Sequence, residues 1–200
     1  MVQSLVDLVS SAIAHLNLLD MKAMQGILEN LVFLSRTRNL LYITDTTDMI
    51  PSHKFEHLSC FFPGMLALGA TTLPEAVMSA KERELHMWAV RQYLHGPWHL
   101  FNPELQAEGL AHTCWIMYAD QPSGLGAEIV LFDGNKPIAA DHKEEKWMWH
   151  LENWEKRGRP GKKPPGVGDA GPPLASQGDV TMDYILLSPN YLLRPEVSSL

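Results

Sequence analysis

Apolar and polar positions repeat at helical spacing near the start of the chain. Residues 1–19 place apolar side chains three or four positions apart, which predicts an amphipathic helix. Asp20 then suits the N-cap of a second helix that continues to about residue 31. The chain is therefore expected to open with two helices that each need a partner for their apolar face.

Two longer helices are predicted farther along the chain. Thr72 and Glu75 have the spacing of a capping box, and the helical pattern that follows them runs from residue 73 to residue 94. Asn102, which is followed by proline, suits the start of another helix that ends near Tyr118.

Short segments between and after these helices are predicted to be extended. Residues 40–44 form a short apolar run, and residues 182–187 with 191–193 fit extended segments or a hairpin. Residues 136–180 are polar and rich in proline and glycine, which predicts a loop or a flexible insertion. The overall prediction is a mainly α fold with short extended hairpin segments.

Composition narrows the function classes. The 200 residues make one domain or a piece of a larger one, and 46% of them are hydrophobic, enough for a core. The net charge of -7 and the lack of a basic run argue against nucleic-acid binding.

The sequence gives no sign of a membrane span or a signal peptide. The chain has no apolar stretch of about 20 residues, the length that a membrane span needs, and the N-terminus has no signal-peptide pattern. The two cysteines, Cys60 and Cys114, can be free or bridged.

The most informative stretch is residues 55–69, with the sequence FEHLSCFFPGMLALG. It is mostly apolar, yet Glu56 and His57 stand at its start, where ionisable groups are costly unless they are paired or used. Pro63 and Gly64 interrupt the pattern, which predicts that the helix starts irregularly or kinks there.

This stretch resembles the xHLxCFxPGxLALG signature of the class I α-1,2-mannosidases, glycoside hydrolase family 47. Residues 124–130, GLGAEIV, resemble the GLxPEIV signature of that family, with Ala127 in place of proline. Residues 191–196, YLLRPE, resemble its NLLRPE signature. The resemblance covers roughly residues 20–196, which correspond to the middle of a family catalytic domain.

The resemblance implies a fold, an activity and a compartment. The fold is an (α/α)7 toroid, of which a single domain of residues 1–200 would supply only about three helix pairs. The activity is calcium-dependent, inverting hydrolysis of terminal α-1,2-linked mannose from high-mannose N-glycans, in the endoplasmic reticulum or Golgi. Cys60 and Cys114 fall where the family has its paired cysteines, which implies a disulfide and an oxidising compartment.

The resemblance also assigns roles to individual residues. Glu196 is implied to be the general base, and Arg194, two residues before it, can keep its carboxylate ionised. Glu128 is implied to be a second carboxylate of the catalytic cleft. His57, Arg194 and Glu56 are implied to bind the sugar, Glu56 standing where relatives more often have aspartate.

The sequence offers few candidate metal ligands. No His or Cys spacing matches a zinc site, and the resemblance implies Ca²⁺, whose direct threonine ligand in the family lies far beyond the LRPE motif.

The family's general-acid segment, EST-x-R, has no counterpart in residues 1–54. We therefore expect a truncated or split gene product that has exposed apolar faces and, by itself, poor or absent catalysis. Two alternatives stay open, a non-catalytic mannose-binding relative and a helical interaction module.

Overall fold

The computed structural model describes residues 20–48, 50–90, 109–132, 142–161, 163–167, 169–174 and 183–190. Within these ranges the chain is mainly helical, with small antiparallel sheets. The helix predicted over residues 1–19 and the helix start predicted at Asn102 lie outside the described residues. The mainly α prediction is confirmed, and the toroid stays a prediction.

The helices and strands follow one another in short elements. The helices are α1 (residues 20–30), a 3₁₀ turn (His57–Cys60), α2 (Phe61–Thr72), α3 (Ala80–Val90), α4 (Leu110–Ala119), a second 3₁₀ turn (His142–Glu145) and α5 (Trp147–Lys156). The strands are β1 (Val32–Leu34), β2 (Leu41–Ile43), β3 (Thr46–Thr47), β4 (Ile50–Pro51), β5 (Lys54–Glu56), β6 (Ile129–Phe132) and β7 (Tyr184–Ser188).

Three small sheets connect these elements in the described part of the chain. β1 pairs with β2 and β3 pairs with β4, each pair antiparallel. The third sheet has the order β5-β6-β7, again antiparallel, and joins segments from three distant parts of the sequence. The strand predicted at residues 40–44 is confirmed as β2, and the extended segment predicted at 182–187 is confirmed as β7, which pairs with β6. Residues 191–193, predicted to be extended as well, lie outside the described residues.

The core consists of adjoining apolar clusters. One cluster lies where the three-stranded sheet meets α4, and in it the ring of Tyr42 stacks on Phe132 with centroids 4.1 Å apart. A second cluster joins α1, α2 and α5 around the fully buried Trp147. Burial of such side chains contributes about 1.5–3 kcal/mol each. The first cluster thus fixes the third sheet against α4, and the second holds α1, α2 and α5 together.

The start of α2 agrees with the predicted irregularity. The chain enters it through the 3₁₀ turn His57–Cys60, and Pro63 occupies the first turn of α2. The first N–H groups of a helix have no intrahelical acceptor, so a proline costs little there. The irregular start thus leaves His57 at the junction of strand and helix.

The predicted start of the long helix at residue 73 was wrong. α3 begins at Ala80, after a turn that includes Pro74. The capping box is formed by Ser79 and Glu82, since the Glu82 carboxylate accepts bonds from the Ser79 N–H (2.8 Å) and hydroxyl (2.6 Å). Thr72 instead donates its hydroxyl to the Leu68 carbonyl inside α2.

The predicted loop at residues 136–180 contains a helix in the structure, α5. Trp147, Leu151 and Trp154 lie on one helical face, and all three are buried. Their spacing of four and three residues was present in the sequence. It was outweighed by the proline and glycine content of the segment that follows.

One apolar face of the 3₁₀ turn and α2 is exposed. Leu58, Phe61, Met65 and Leu68 are spaced by three or four residues, and 48–64% of each residue is accessible to solvent. An exposed apolar face is what the sequence interpretation predicts. Among the described residues, none of the helices is both long and apolar enough for a transmembrane segment.

Candidate functional site

Two of the three signature segments meet at one end of the β5-β6-β7 sheet, beside the residue that precedes the third. The N–H of His57 donates to the carbonyl of Glu128 over 2.9 Å. The N–H of Glu128 in turn faces the carbonyls of Ser188 (3.0 Å) and Asn190 (3.1 Å). Asn190 directly precedes the YLLRPE segment, so backbone bonds bring two of the signatures beside the strand that leads to the third.

Neighbouring side chains of β5 lie on opposite faces of the sheet, one buried and the next exposed. Phe55 lies opposite Val130, and both are buried in the core. Glu56 lies opposite Ile129 on the other face and is exposed. Successive side chains of a strand alternate between faces, so the carboxylate of Glu56 is available to solvent while its backbone is fixed by the sheet.

His57 is buried at the sheet end. Its side chain is 3% exposed, and its Nε2 atom lies 2.5 Å from the hydroxyl of Tyr118. The two rings meet edge to face, with centroids 5.3 Å apart. The ring of His57 is thus held against α4, and its sugar-binding role stays a prediction.

The loop that carries Glu128 is packed closely against α4. A Cβ atom added to Gly126 would lie 3.0–3.3 Å from atoms of the Tyr118 ring, which is tighter than ordinary contact. Ala127 is 5% exposed and belongs to the core cluster at the sheet. Glu128 itself is partly buried at the start of β6. The loop is therefore held on both sides, although alanine replaces the proline of the signature.

A disulfide connects the 3₁₀ turn to α4. Cys60 and Cys114 are bonded, with their Cα atoms 5.9 Å apart and 54 positions between them in sequence. The pairing implied by the family resemblance is confirmed. The bond lies one helical turn from the contact between His57 and Tyr118, so the two links hold the same pair of elements together.

The other two predicted site residues, Arg194 and Glu196, lie outside the described residues. Their roles stay predictions. So does the separation of Glu128 from Glu196, on which the interaction-module alternative depends.

Arg38, Asp120 and Asp183 form a buried ionic cluster that the sequence interpretation missed. The guanidinium of Arg38 makes a two-pronged contact with Asp120 (2.8 and 3.1 Å) and also donates to Asp183. Asp183 accepts further bonds from the Arg38 N–H (2.9 Å) and the Ser35 hydroxyl (3.1 Å). Tyr184 donates its hydroxyl to Asp120 over 2.9 Å. The cluster fixes the start of the Glu128 loop and the start of β7.

Burial and hydrogen bonding act in opposite directions on the pKa of Arg38. Burial disfavours the charged form of Arg38, but its hydrogen bonds to Asp120 and Asp183 outweigh this and raise the pKa of the guanidinium. Burial, together with the neighbouring Asp120 carboxylate, raises the pKa of Tyr184. Arg38 therefore stays cationic and Tyr184 stays a neutral donor across the physiological pH range.

The calcium ion implied by the resemblance stays a prediction. Ca²⁺ takes six to eight oxygen ligands, and no group of three or more His, Cys, Asp or Glu side chains in the described ranges is placed to hold a metal ion. The two buried aspartates, Asp120 and Asp183, are already bonded to Arg38.

Comparison with known proteins decides the family. The sequence profile of the family described as glycosyl hydrolase family 47 matches residues 11–199, nearly the whole chain. The chain belongs to glycosyl hydrolase family 47. The signatures at residues 55–69, 124–130 and 191–196 are thus family features.

Relatives within family 47 match the chain over just over half of its length. The endoplasmic reticulum mannosyl-oligosaccharide 1,2-alpha-mannosidase of Saccharomyces cerevisiae is 33% identical over 118 residues, 57% of this chain and 20% of the relative. The mannosyl-oligosaccharide 1,2-alpha-mannosidase of Candida albicans is 35% identical over 132 residues, 60% and 20% respectively. The pig enzyme mannosyl-oligosaccharide 1,2-alpha-mannosidase IA is 32% identical over 113 residues, 56% and 14%. The family 47 chain spans about a fifth of the length of these curated relatives, or less.

Proposed function

We propose that this chain supplies part of the sugar site of an enzyme that hydrolyses terminal α-1,2-linked mannose from high-mannose N-glycans. The observation that carries the proposal is the meeting of His57, Glu128 and Asn190 at one end of the three-stranded sheet. Family membership and the names of the relatives support the reaction and the glycan substrate.

Inverting hydrolysis needs one carboxylic acid to protonate the leaving oxygen and one carboxylate to activate water on the opposite face of the sugar. We assign the water-activating role to Glu196, with Arg194 favouring its ionised form. Glu196 lies six residues beyond Asn190, and an extended chain of that length reaches at most about 20 Å. Glu196 is thus tethered to the sheet end that carries Glu128.

The remaining assignments follow from exposure and backbone bonding. Glu128 is the second carboxylate of the cleft, and its N–H faces the carbonyls of Ser188, at the end of β7, and Asn190. The exposed carboxylate of Glu56 and the oriented ring of His57 bind sugar hydroxyls. We assign the leaving-group proton to no residue of this chain, because residues 1–54 lack a segment like EST-x-R.

The proposal extends to architecture, cofactor and compartment. The parent fold is an (α/α)7 toroid, and Ca²⁺ is needed for turnover, although we derive no step through the ion from the described residues. The disulfide, which is stable in oxidising compartments, supports a place in the secretory pathway. Two of the relatives are named as endoplasmic reticulum enzymes, which supports the same compartment.

A second candidate is a mannose-binding relative without catalysis. The exposure of Glu56 and the bond between His57 and Tyr118 favour it, since neither contact depends on a general acid. Such a protein would keep the sugar contacts of Glu56 and His57 and would release no mannose.

The test is mannose release from a high-mannose N-glycan by the purified chain, with Ca²⁺ and with a chelator. Any mannose that the chain releases should depend on Ca²⁺, and Glu196→Gln should lower that release about a thousandfold, as loss of a general base does. Glu29→Gln is the control, because Glu29 is an exposed carboxylate on α1. Sugar binding without release would favour the second candidate, and neither binding nor release from a folded sample would contradict both.

A further inference from the structure

Tyr118 contacts two parts of the candidate site at once. Its hydroxyl lies 2.5 Å from His57 Nε2, and its ring packs against the backbone of Gly126, two residues before Glu128. No signature contains Tyr118, which is the penultimate residue of α4. A side chain that touches both segments can set their relative position.

The disulfide makes this contact rigid. Cys114 and Tyr118 are four residues apart on α4, and so lie on the same face of that helix. Their partners, Cys60 and His57, are the last and first residues of the 3₁₀ turn. Two links between the same two elements prevent the turn from rotating against α4, because each link blocks the motion that the other would allow.

A backbone hydrogen bond joins the remaining pair, the 3₁₀ turn and the Glu128 loop. His57 donates its N–H to the carbonyl of Glu128, so the 3₁₀ turn, α4 and the Glu128 loop are joined pairwise. Tyr118 is the side chain that bonds to the imidazole and packs on the loop. Displacing it would free the His57 ring and loosen the loop together.

We propose that Tyr118 is a positioning residue that orients the His57 imidazole and the Gly126–Glu128 loop for sugar binding. The inference rests on the proposed function for its sugar-binding part, while the orientation of His57 can be measured without a sugar. Active-site groups displaced by about 1 Å can lose up to a hundredfold in rate, so a single hydroxyl here matters to function.

The matched control is a second tyrosine–histidine bond in the same core cluster. Tyr42 Oη lies 2.8 Å from His53 Nδ1, and Tyr42 is buried, but neither residue belongs to a signature. Tyr42→Phe therefore removes the same chemical group from the core without touching the candidate site.

The experiment compares Tyr118→Phe with Tyr42→Phe in the full 200-residue chain. Nitrogen chemical shifts of ¹⁵N-labelled histidine report the tautomer and hydrogen bonding of His57, and titration with methyl α-D-mannoside reports sugar affinity. We expect Tyr118→Phe to shift the Nε2 signal of His57 and to weaken sugar binding about tenfold. Tyr42→Phe should leave the His57 signal and the sugar affinity unchanged, while it lowers the Tm by about as much as Tyr118→Phe does.

A second variant approaches the same ring from the loop. Gly126→Ala pushes a methyl group against Tyr118, and we expect it to shift the His57 Nε2 signal as well. Gly26→Ala is its control, because a Cβ there meets nothing within 4 Å.

The outcomes separate the two proposals. An unchanged His57 signal in Tyr118→Phe, or sugar affinity equal to that of the unmodified chain, overturns the positioning role. If the unmodified chain binds no methyl α-D-mannoside but the His57 signal still shifts in Tyr118→Phe, then the orientation of His57 stands and the proposed glycosidase function fails.

Discussion

Arg38 neutralises two buried carboxylates, Asp120 and Asp183, and its side chain is only 3% exposed. Breaking a buried charge cluster by removing one partner typically costs about 3–5 kcal/mol, because the remaining charges stay unpaired. We expect Arg38→Met to lower the free energy of unfolding by about that amount at pH 7, measured by urea denaturation.

The control for this prediction lies two residues away. Arg36 also pairs with a carboxylate, Glu145, but its side chain is 39% exposed, so Arg36→Met should cost less than about 1 kcal/mol. Equal losses for the two variants would contradict the account.

His86 gives the protein a dependence of stability on pH. The residue is 1% exposed, and neither ring nitrogen has a hydrogen-bond partner among the described residues. Burial lowers its pKa, Glu82 raises it and Arg83 lowers it further, with a net decrease. The folded protein thus resists protonation where the unfolded chain, with an ordinary pKa of about 6.5, accepts a proton.

The direction in which the free energy of unfolding changes with pH follows from this difference in pKa. Below pH 6.5 the unfolded state binds more protons, so the free energy of unfolding should fall on acidification by up to about 1.4 kcal/mol per pH unit. His86→Met should flatten the curve between pH 7 and the lower pKa of the folded state. Parallel curves for the two proteins, measured by urea titrations at several pH values, would rule out the contribution of His86.

At the scale of elements, the disulfide links the 3₁₀ turn to α4 across 54 positions of sequence. Closing a loop of that length stabilises the folded state by about 4 kcal/mol in the chain-entropy model. We expect the Cys60→Ser/Cys114→Ser variant to lose about that much in urea denaturation. Reductant should destabilise the unmodified chain equally, and a loss below about 1 kcal/mol would show that the bond contributes little.

The start of α3 allows a test with an internal control. Ser79 caps the helix and donates to Glu82, and these bonds lower the pKa of the Glu82 carboxyl. Ser79→Ala should cost about 1 kcal/mol in urea denaturation. That loss should diminish as the pH falls through the lowered pKa of Glu82, since the bonds need its carboxylate ionised. Thr72→Ala, which alters the cap first predicted from the sequence, should cost less than half as much.

Local patterns predicted the elements well where one signal dominated. α1, β2, β7 and the irregular entry to α2 follow from caps, apolar runs and proline. The start of α3 was misplaced because Thr72 and Glu75 have the same spacing as the true cap, and only the turn at Pro74 distinguishes them.

At the scale of the whole molecule, the site could be predicted only in part. The signatures pointed to Glu56, His57 and Glu128, and the sheet brings their backbones together. The cluster around Arg38 could not be predicted, because Asp120 and Asp183 lie 82 and 145 positions away and no local pattern links them. Tyr118 was missed for the same reason, since its role depends on contacts made across 61 positions.

The central claim is that the end of the β5-β6-β7 sheet binds terminal α-1,2-linked mannose. The most direct test is to record backbone amide NMR spectra of the chain while α-1,2-mannobiose is added. The account predicts that the shifted signals cluster at Glu56, His57, Glu128 and Asn190. Shifts confined to other surfaces, or no shifts at millimolar sugar in a folded sample, would contradict it.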